Sequence, residues 1–325
     1  MPVSKPKVIV TRRWPEAVEQ ALHEHFDVEL NANDVPFSKA ALIDALGRAD
    51  ALFPTVTDKV DAEVLAAEPM RCRLIGNFGV GFNNIDIEAA KARGIVVTNT
   101  PDVLTHATAD LAMALLLAVA RRVGDGERHV RTKEWTGWRP THMMGTQVTG
   151  KTLGLVGLGR IGGAVAKKAS RGFDMQVQAY DPFPPPAERL AEMGVTLVDS
   201  PEKIFETSDF VSIHCPATPE NRHLVNAARL QAMKTGAFLI NTARGDIVDE
   251  AALVDALKSG QIAGAGLDVF EQEPKVTDAL LTMNNVVLLP HLGSATTETR
   301  EAMGFRVMKN AESFFADEEP GDRVV

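Results

Sequence analysis

Gly157-Leu158-Gly159-Arg160-Ile161-Gly162 stands directly after the apolar run Leu153–Val156 and opens the amphipathic stretch Ile161–Ser170. This order of strand, glycine loop and helix constrains the fold more than any other feature of the chain. The first glycine permits a tight turn, and the second lets a pyrophosphate approach the backbone. The third permits close packing of helix on strand, with the helix N-terminus facing the phosphates. Arg160 is placed to add a charge-assisted contact to them. The next strand, Val177–Tyr180, ends in Asp181, 19 residues after Gly162. An acidic residue there accepts from an adenosine ribose 2′-hydroxyl and repels a 2′-phosphate. The pattern predicts a dinucleotide site with NAD(H) preferred and NADP(H) disfavoured by Asp181.

The rest of the chain repeats the same alternation. Strand-like runs occur at Val8–Val10, Val28–Leu30, Ala51–Phe53, Leu74–Asn77 and Val96–Thr98, with helical patterns such as Pro15–His25 and Ser38–Arg48 between them. A second series comprises Leu153–Val156, Val177–Tyr180, Thr196–Val198, Phe210–Ile213, Phe238–Asn241, Ile262–Leu267 and Val286–Leu288. Strands alternating with helices mean parallel sheets covered on both faces. A length of 325 residues suits about two such domains. The expected fold class is therefore α/β, with two Rossmann-like, doubly wound parallel-sheet domains and an active-site cleft between them. A long helix introduced by Pro101 and Asp102 and running to about Arg121 should bridge the two. The last helical pattern, Ser294–Phe315, is expected to cross back onto the first domain. That makes residues 1–100 plus 293–325 a discontinuous substrate-binding domain and 101–292 the dinucleotide-binding one.

Charge and apolar runs exclude several partners. A net charge of −9, from 34 basic and 43 acidic residues, disfavours nucleic acid and anionic membrane surfaces. The longest apolar run, Leu111 to Ala120, is half the roughly 20 residues that a membrane span needs. No signal-peptide stretch follows the early lysines, and two cysteines make no disulfide framework, so a cytoplasmic location is expected. His23 and His25 lie on different helix faces and predict no metal site. Cys215 beside His214 is not read as a dyad, because adjacent strand residues point to opposite faces.

Three polar residues fall where strands of the second series end: Arg244, Glu273 and His291. Ligands of open α/β sheets bind outside the carboxyl ends of the strands, so the three can meet in one crevice. Arginine offers a planar fork for carboxylate and carbonyl. Histidine is a proton donor suited to neutral pH, and an adjacent carboxylate stabilises its charged form.

With Gly157–Gly162, these residues resemble the D-isomer-specific 2-hydroxyacid dehydrogenase family, over essentially the whole chain. The resemblance implies that Arg244 anchors the substrate, that the Glu273–His291 pair handles the proton, and that a nicotinamide handles the hydride. It implies that the N–H groups around Val80 and Gly81, in Asn77-Phe78-Gly79-Val80-Gly81-Phe82-Asn83-Asn84, hold the substrate carboxylate. Thr108 and Asp268 match positions near the nicotinamide, Pro216 matches the wall near the adenine half, and Ile161 and Ala243 complete the cofactor-contacting set. Glu134-Trp135-Thr136-Gly137-Trp138 looks like the glyoxylate/hydroxypyruvate reductase branch, in which Trp138 would reach the active site of a partner subunit. A homodimer is accordingly expected. A D-lactate-type or broad 2-oxo-acid reductase stays open at this point, as does an NAD-sensing interaction module.

Overall fold

In the computed structural model, which describes residues 5–325, twelve strands form two sheets, and every strand ladder is parallel. By contact density the chain divides into two units. The first is the described part of Met1–Leu104 with Ser294–Val325, and the second is Thr105–Gly293.

The first unit holds β1 (Lys7–Val10), β2 (Asp27–Leu30), β3 (Ala51–Phe53), β4 (Leu74–Gly76) and β5 (Val96–Thr98), in the order β2-β1-β3-β4-β5. Alternate residues of each strand feed opposite faces, as the pleat requires. Ile9, Leu52 and Ile75 pack with Leu42 and Leu46 on one side, while Val8, Val10, Phe53 and Leu74 pack with Trp14 and Val307 on the other. The crossover helices start where short polar side chains cap them. Ser38, Asp61 and Asp86 accept from the N–H groups of Ala41, Val64 and Ala89.

Val307 belongs to helix Thr297–Phe315, so the chain returns to its first sheet after the second unit is complete. The final residues then run along the free edge of β5. The N–H of Val324 donates to the Val97 carbonyl at 2.7 Å, and the N–H of Val97 donates to the Val325 carbonyl at 3.1 Å. An uncovered strand edge is a template for aggregation, and the tail removes this one. Asp322 clamps the tail by accepting from Nε and Nη2 of Arg306 at 2.7 Å each. That guanidinium holds the Asp322 carboxyl below the usual carboxylate range, against the opposing effect of burial.

The second unit holds β6 (Thr152–Val156), β7 (Gln176–Tyr180), β8 (Val195–Leu197), β9 (Phe210–Ile213), β10 (Phe238–Asn241), β11 (Gly264–Leu267) and β12 (Val286–Leu288). Their order is β12-β11-β10-β9-β6-β7-β8, so strand order reverses between β6 and β9. Ligands bind outside such a switch point. The expected long helix is present as Thr105–Ala120. It begins at Thr105, because Asp102 sits at φ +71°, outside the right-handed helical region. It ends at Ala120; Arg122 at φ +53° breaks the chain before a separate helix, Val123–Arg131. Within the second unit it packs on β10, β11 and helix Arg160–Gly172, through residues such as Ala109, Met113 and Leu116.

Candidate active site

Parallel strands in register bring their carboxyl ends to one edge, and the second unit places most of its polar candidates there. Gly157 follows β6, Asp181 follows β7, and Pro216 lies just beyond β9. Ala243 and Arg244 follow β10, Asp268 follows β11, and His291 lies just beyond β12. Backbone bonds hold these ends side by side. The N–H of Gly157 donates to the Tyr180 carbonyl, that of His214 to Val156, and that of Asp268 to Asn241.

The glycine loop fits a dinucleotide. Gly157 is at φ +96°, and a Cβ there would lie 2.6 Å from the backbone of His214 and Cys215. A Cβ on Gly162 would lie 2.3 Å from the Gly157 carbonyl oxygen, whereas one on Gly159 would meet nothing within 4 Å. The turn and the helix packing therefore demand glycine, and the middle glycine faces open space. Helix Arg160–Gly172 presents its first-turn N–H groups there. Asp181 has a structural task that the sequence did not disclose. Its Oδ2 accepts the Leu158 N–H at 2.7 Å, tying the loop to the end of β7, and its Oδ1 accepts the N–H of Phe183 at 2.8 Å.

At the other end of the same edge, His291 Nδ1 lies 2.8 Å from Glu273 Oε2. Glu273 Oε1 accepts the Phe270 N–H at 3.0 Å, which fixes the carboxylate in its own turn. Burial pushes the Glu273 carboxyl up. The bond to His291, the Phe270 N–H and the charge of Arg244 outweigh it and hold the group below the ordinary carboxylate range. The pairing leaves Nε2 of His291 as the atom able to present a proton. His291 sits at φ +54°, a left-handed conformation that costs a non-glycine residue roughly 1 kcal/mol. Asp268 supplies the restraint. Its carbonyl accepts the His291 N–H, and its carboxylate accepts the N–H groups of Leu292 at 2.6 Å and Gly293 at 2.8 Å. Burial raises the Asp268 carboxyl in spite of those bonds. Thr108 Oγ1 donates to the Gly293 carbonyl, so Thr108, Asp268 and His291 form one connected cluster. Burial lowers the proton affinity of Arg244, opposed by the charges of Glu273 and Asp246.

The profile of the D-isomer specific 2-hydroxyacid dehydrogenase NAD binding domain matches residues 113–293. A glyoxylate reductase of Korarchaeum cryptofilum is 48% identical over 322 residues, covering 98% of this chain and 96% of its own. The chain belongs to the D-isomer specific 2-hydroxyacid dehydrogenase family. Among solved structures, a glyoxylate reductase from Paecilomyes thermophila is 30% identical, with a TM-score of 0.87 over 100% of this chain and 99% of that one. The NADPH-dependent glyoxylate/hydroxypyruvate reductase of Sinorhizobium meliloti, in complex with NADP and malonate, is 36% identical. It has a TM-score of 0.87 and covers 99% of this chain and 97% of its own.

In this dehydrogenase two residues that sequence reasoning passed over hold the site in shape. Asn241 is 1% exposed; its amide donates to the Arg244 carbonyl at 2.8 Å and accepts from the Ala243 N–H at 3.0 Å. The buried carboxylate of Glu250 accepts the Glu271 N–H at 2.7 Å and the Thr277 hydroxyl, bracing both flanks of Glu273. Nothing in the pattern distinguished them from polar ends of strands and helices. Trp138 lies in the irregular stretch after helix Val123–Arg131 and is 82% exposed. The strand-alternation argument against a dyad does not apply, since His214 and Cys215 both lie past the end of β9, and His214 Nε2 pairs instead with Ser212 Oγ at 2.8 Å. Burial pushes the His214 imidazole down to about 4 and the Cys215 thiol up to about 11, so both are neutral. Among the described residues no cluster of His, Cys, Asp and Glu suits a metal ion. Nor, among them, is any helix long and apolar enough to cross a membrane.

Proposed function

We propose that this dehydrogenase reduces small 2-oxo acids to D-2-hydroxy acids with NADH, glyoxylate and hydroxypyruvate being its first substrates. The observation that carries the reading is the Glu273–His291 pair, on the sheet edge that also bears the glycine loop and Arg244. Arg244 would bridge the substrate carboxylate and carbonyl with its planar fork. A bound nicotinamide supplies the hydride, and Thr108, Pro216, Ala243 and Asp268 belong to its proposed surroundings, with Ile161 and Arg160 at the phosphates. His291 Nε2 delivers the proton to the carbonyl oxygen while Glu273 holds the imidazolium. The N–H groups of Val80 and Gly81 receive the carboxylate. Free Cys72 and Cys215 suit a reducing cytoplasm.

A panel of glyoxylate, hydroxypyruvate and pyruvate with NADH and NADPH tests this reading. Glyoxylate and hydroxypyruvate should give the highest kcat/KM, with NADH ahead of NADPH. A 2′-phosphate would bring like charge to Asp181. In Asp181→Ala the gap should narrow as NADPH use rises, although part of the NADH rate is lost with the tie to Leu158. Wild-type preference for NADPH would sink the role given to Asp181.

The same reading includes a two-fold symmetric homodimer formed through the segment Val103–Arg139. Val123, Val130, Trp135 and Trp138 are all more than half exposed, a grouping that a soluble monomer rarely shows. Trp138 would then reach the partner subunit's active site. Light scattering should return about twice the 35.1 kDa of one chain, and a value near 35.1 kDa rejects the dimer.

A further inference from the structure

We propose that Asn77 and Asn99 are positioning residues, whose side-chain amides aim the N–H groups of Val80 and Gly81 at a substrate carboxylate. The proposal rests on the reading of a carboxylate substrate given above and adds how this chain builds the receptor. The loop that follows β4 has three successive carbonyls, and a side-chain amide grips each one. Asn77 Nδ2 lies 3.3 Å from the Gly79 oxygen and 2.9 Å from the Gly81 oxygen. Asn99 Nδ2 donates to the Val80 oxygen at 2.8 Å, and the Thr100 N–H adds a second bond to Gly79 at 3.1 Å.

A trans peptide carries its C=O and the next residue's N–H on opposite sides of the bond. The peptides of this loop are trans. Holding the Gly79 oxygen toward Asn77 therefore turns the Val80 N–H the other way. Holding the Val80 oxygen toward Asn99 does the same for the Gly81 N–H. Among the described residues neither N–H has an acceptor, although both residues are half-buried. Unpaired backbone donors at such sites are rare, and successive ones form a concavity for anions. The grip is itself fixed. Asn77 is fully buried, its backbone N–H donates to Thr98, and its Oδ1 accepts from Asn84 Nδ2 at 3.2 Å. Only the donor end of Asn77 is then left for the carbonyls. An aspartate at position 77 or 99 would set an acceptor against an acceptor.

Asn99→Ala is the decisive variant, because the backbone of Asn99, not its side chain, makes the bond to Asp322 in the tail. Four quantities are read on the full-length protein: kcat and KM for glyoxylate, the inhibition constant of oxalate, the Kd of NADH by fluorescence, and the melting temperature. Oxalate serves as a carboxylate probe that is not reduced. Losing one aimed donor to a charged group should cost about tenfold in affinity. KM and the oxalate constant should therefore rise together by about tenfold, with kcat falling less and the NADH Kd unchanged within twofold. Asn99→Asp is near-isosteric and should raise both further, and it decides the matter if Asn99→Ala does not fold. Unchanged KM and oxalate inhibition in a variant of an active enzyme overturn the proposal and leave the function standing. A parallel loss of NADH affinity overturns it too, since the substitution would then have disturbed the protein generally. Wild-type protein that neither reduces glyoxylate nor binds oxalate overturns both readings, and does so before any variant is made.

Discussion

Replacing His291 by Asn is expected to lower kcat/KM for glyoxylate reduction by about 10²–10⁴-fold, the usual range for a lost general acid. Asparagine is the informative choice because residue 291 sits at φ +54°. Asn tolerates that left-handed region better than other non-glycine residues, so Asp268 can still restrain the turn through Leu292 and Gly293. The loss then measures proton delivery rather than a displaced backbone. NADH affinity should hold within a few-fold, and a variant that keeps a tenth or more of the wild-type rate would remove His291 from the chemistry.

Glu273→Gln separates the proton's holder from its donor. The Glu273 carboxylate lies 2.8 Å from His291 Nδ1, so it orients the ring and stabilises the charge that develops as the proton is handled. Glutamine keeps the shape and removes that charge, so kcat/KM for glyoxylate should fall by about tenfold or more, with NADH affinity held within about twofold. The Glu273 carboxyl is held below the ordinary carboxylate range, so it is ionised at neutrality and the substitution removes a real charge. An unchanged kcat/KM would break the assignment and turn attention to Asp268.

Most strands were legible because they are short apolar runs buried on both faces, whereas the outer strands β2, β7 and β8 carry polar residues and are partly exposed. Their ends were legible too, and with them Arg244, Glu273 and His291. What stayed hidden depends on pairings between distant residues. Nothing local marks Val324 as the neighbour of Val97, nor Glu250 as a brace for Glu271. Asn241 reads as the polar end of a strand until its amide is seen to close the Arg244 turn. Backbone sign is equally silent in a sequence. Asp102 and Arg122 are ordinary residues, yet their positive φ flanks the helix Thr105–Ala120 and sets its bounds.

Arg244→Lys should cost more than about 2 kcal/mol of transition-state stabilisation, a loss of roughly 30-fold or more in kcat/KM. Charge alone does not explain so large an effect, since lysine keeps it. The guanidinium is held by its own turn: Nη1 donates to the Ala243 carbonyl at 2.7 Å, and Asn241 fixes the Arg244 carbonyl. One nitrogen of the fork is thereby spent on orientation, and the planar group still has donors left for a carboxylate. A lysine ammonium has no second edge and cannot serve the turn and a carboxylate in one plane. The site also penalises charge. Burial already lowers the proton affinity of Arg244, and only Glu273 and Asp246 oppose it. Arginine keeps its proton under that pressure, whereas a buried lysine gives its proton up far more readily. The variant should therefore lose more activity toward high pH than at neutrality, on top of the loss of the fork. Measured kcat/KM for glyoxylate across pH 6–9 checks both parts. A lysine variant matching wild type at neutral pH would show that Arg244 contributes charge only, and the bidentate role would have to be withdrawn.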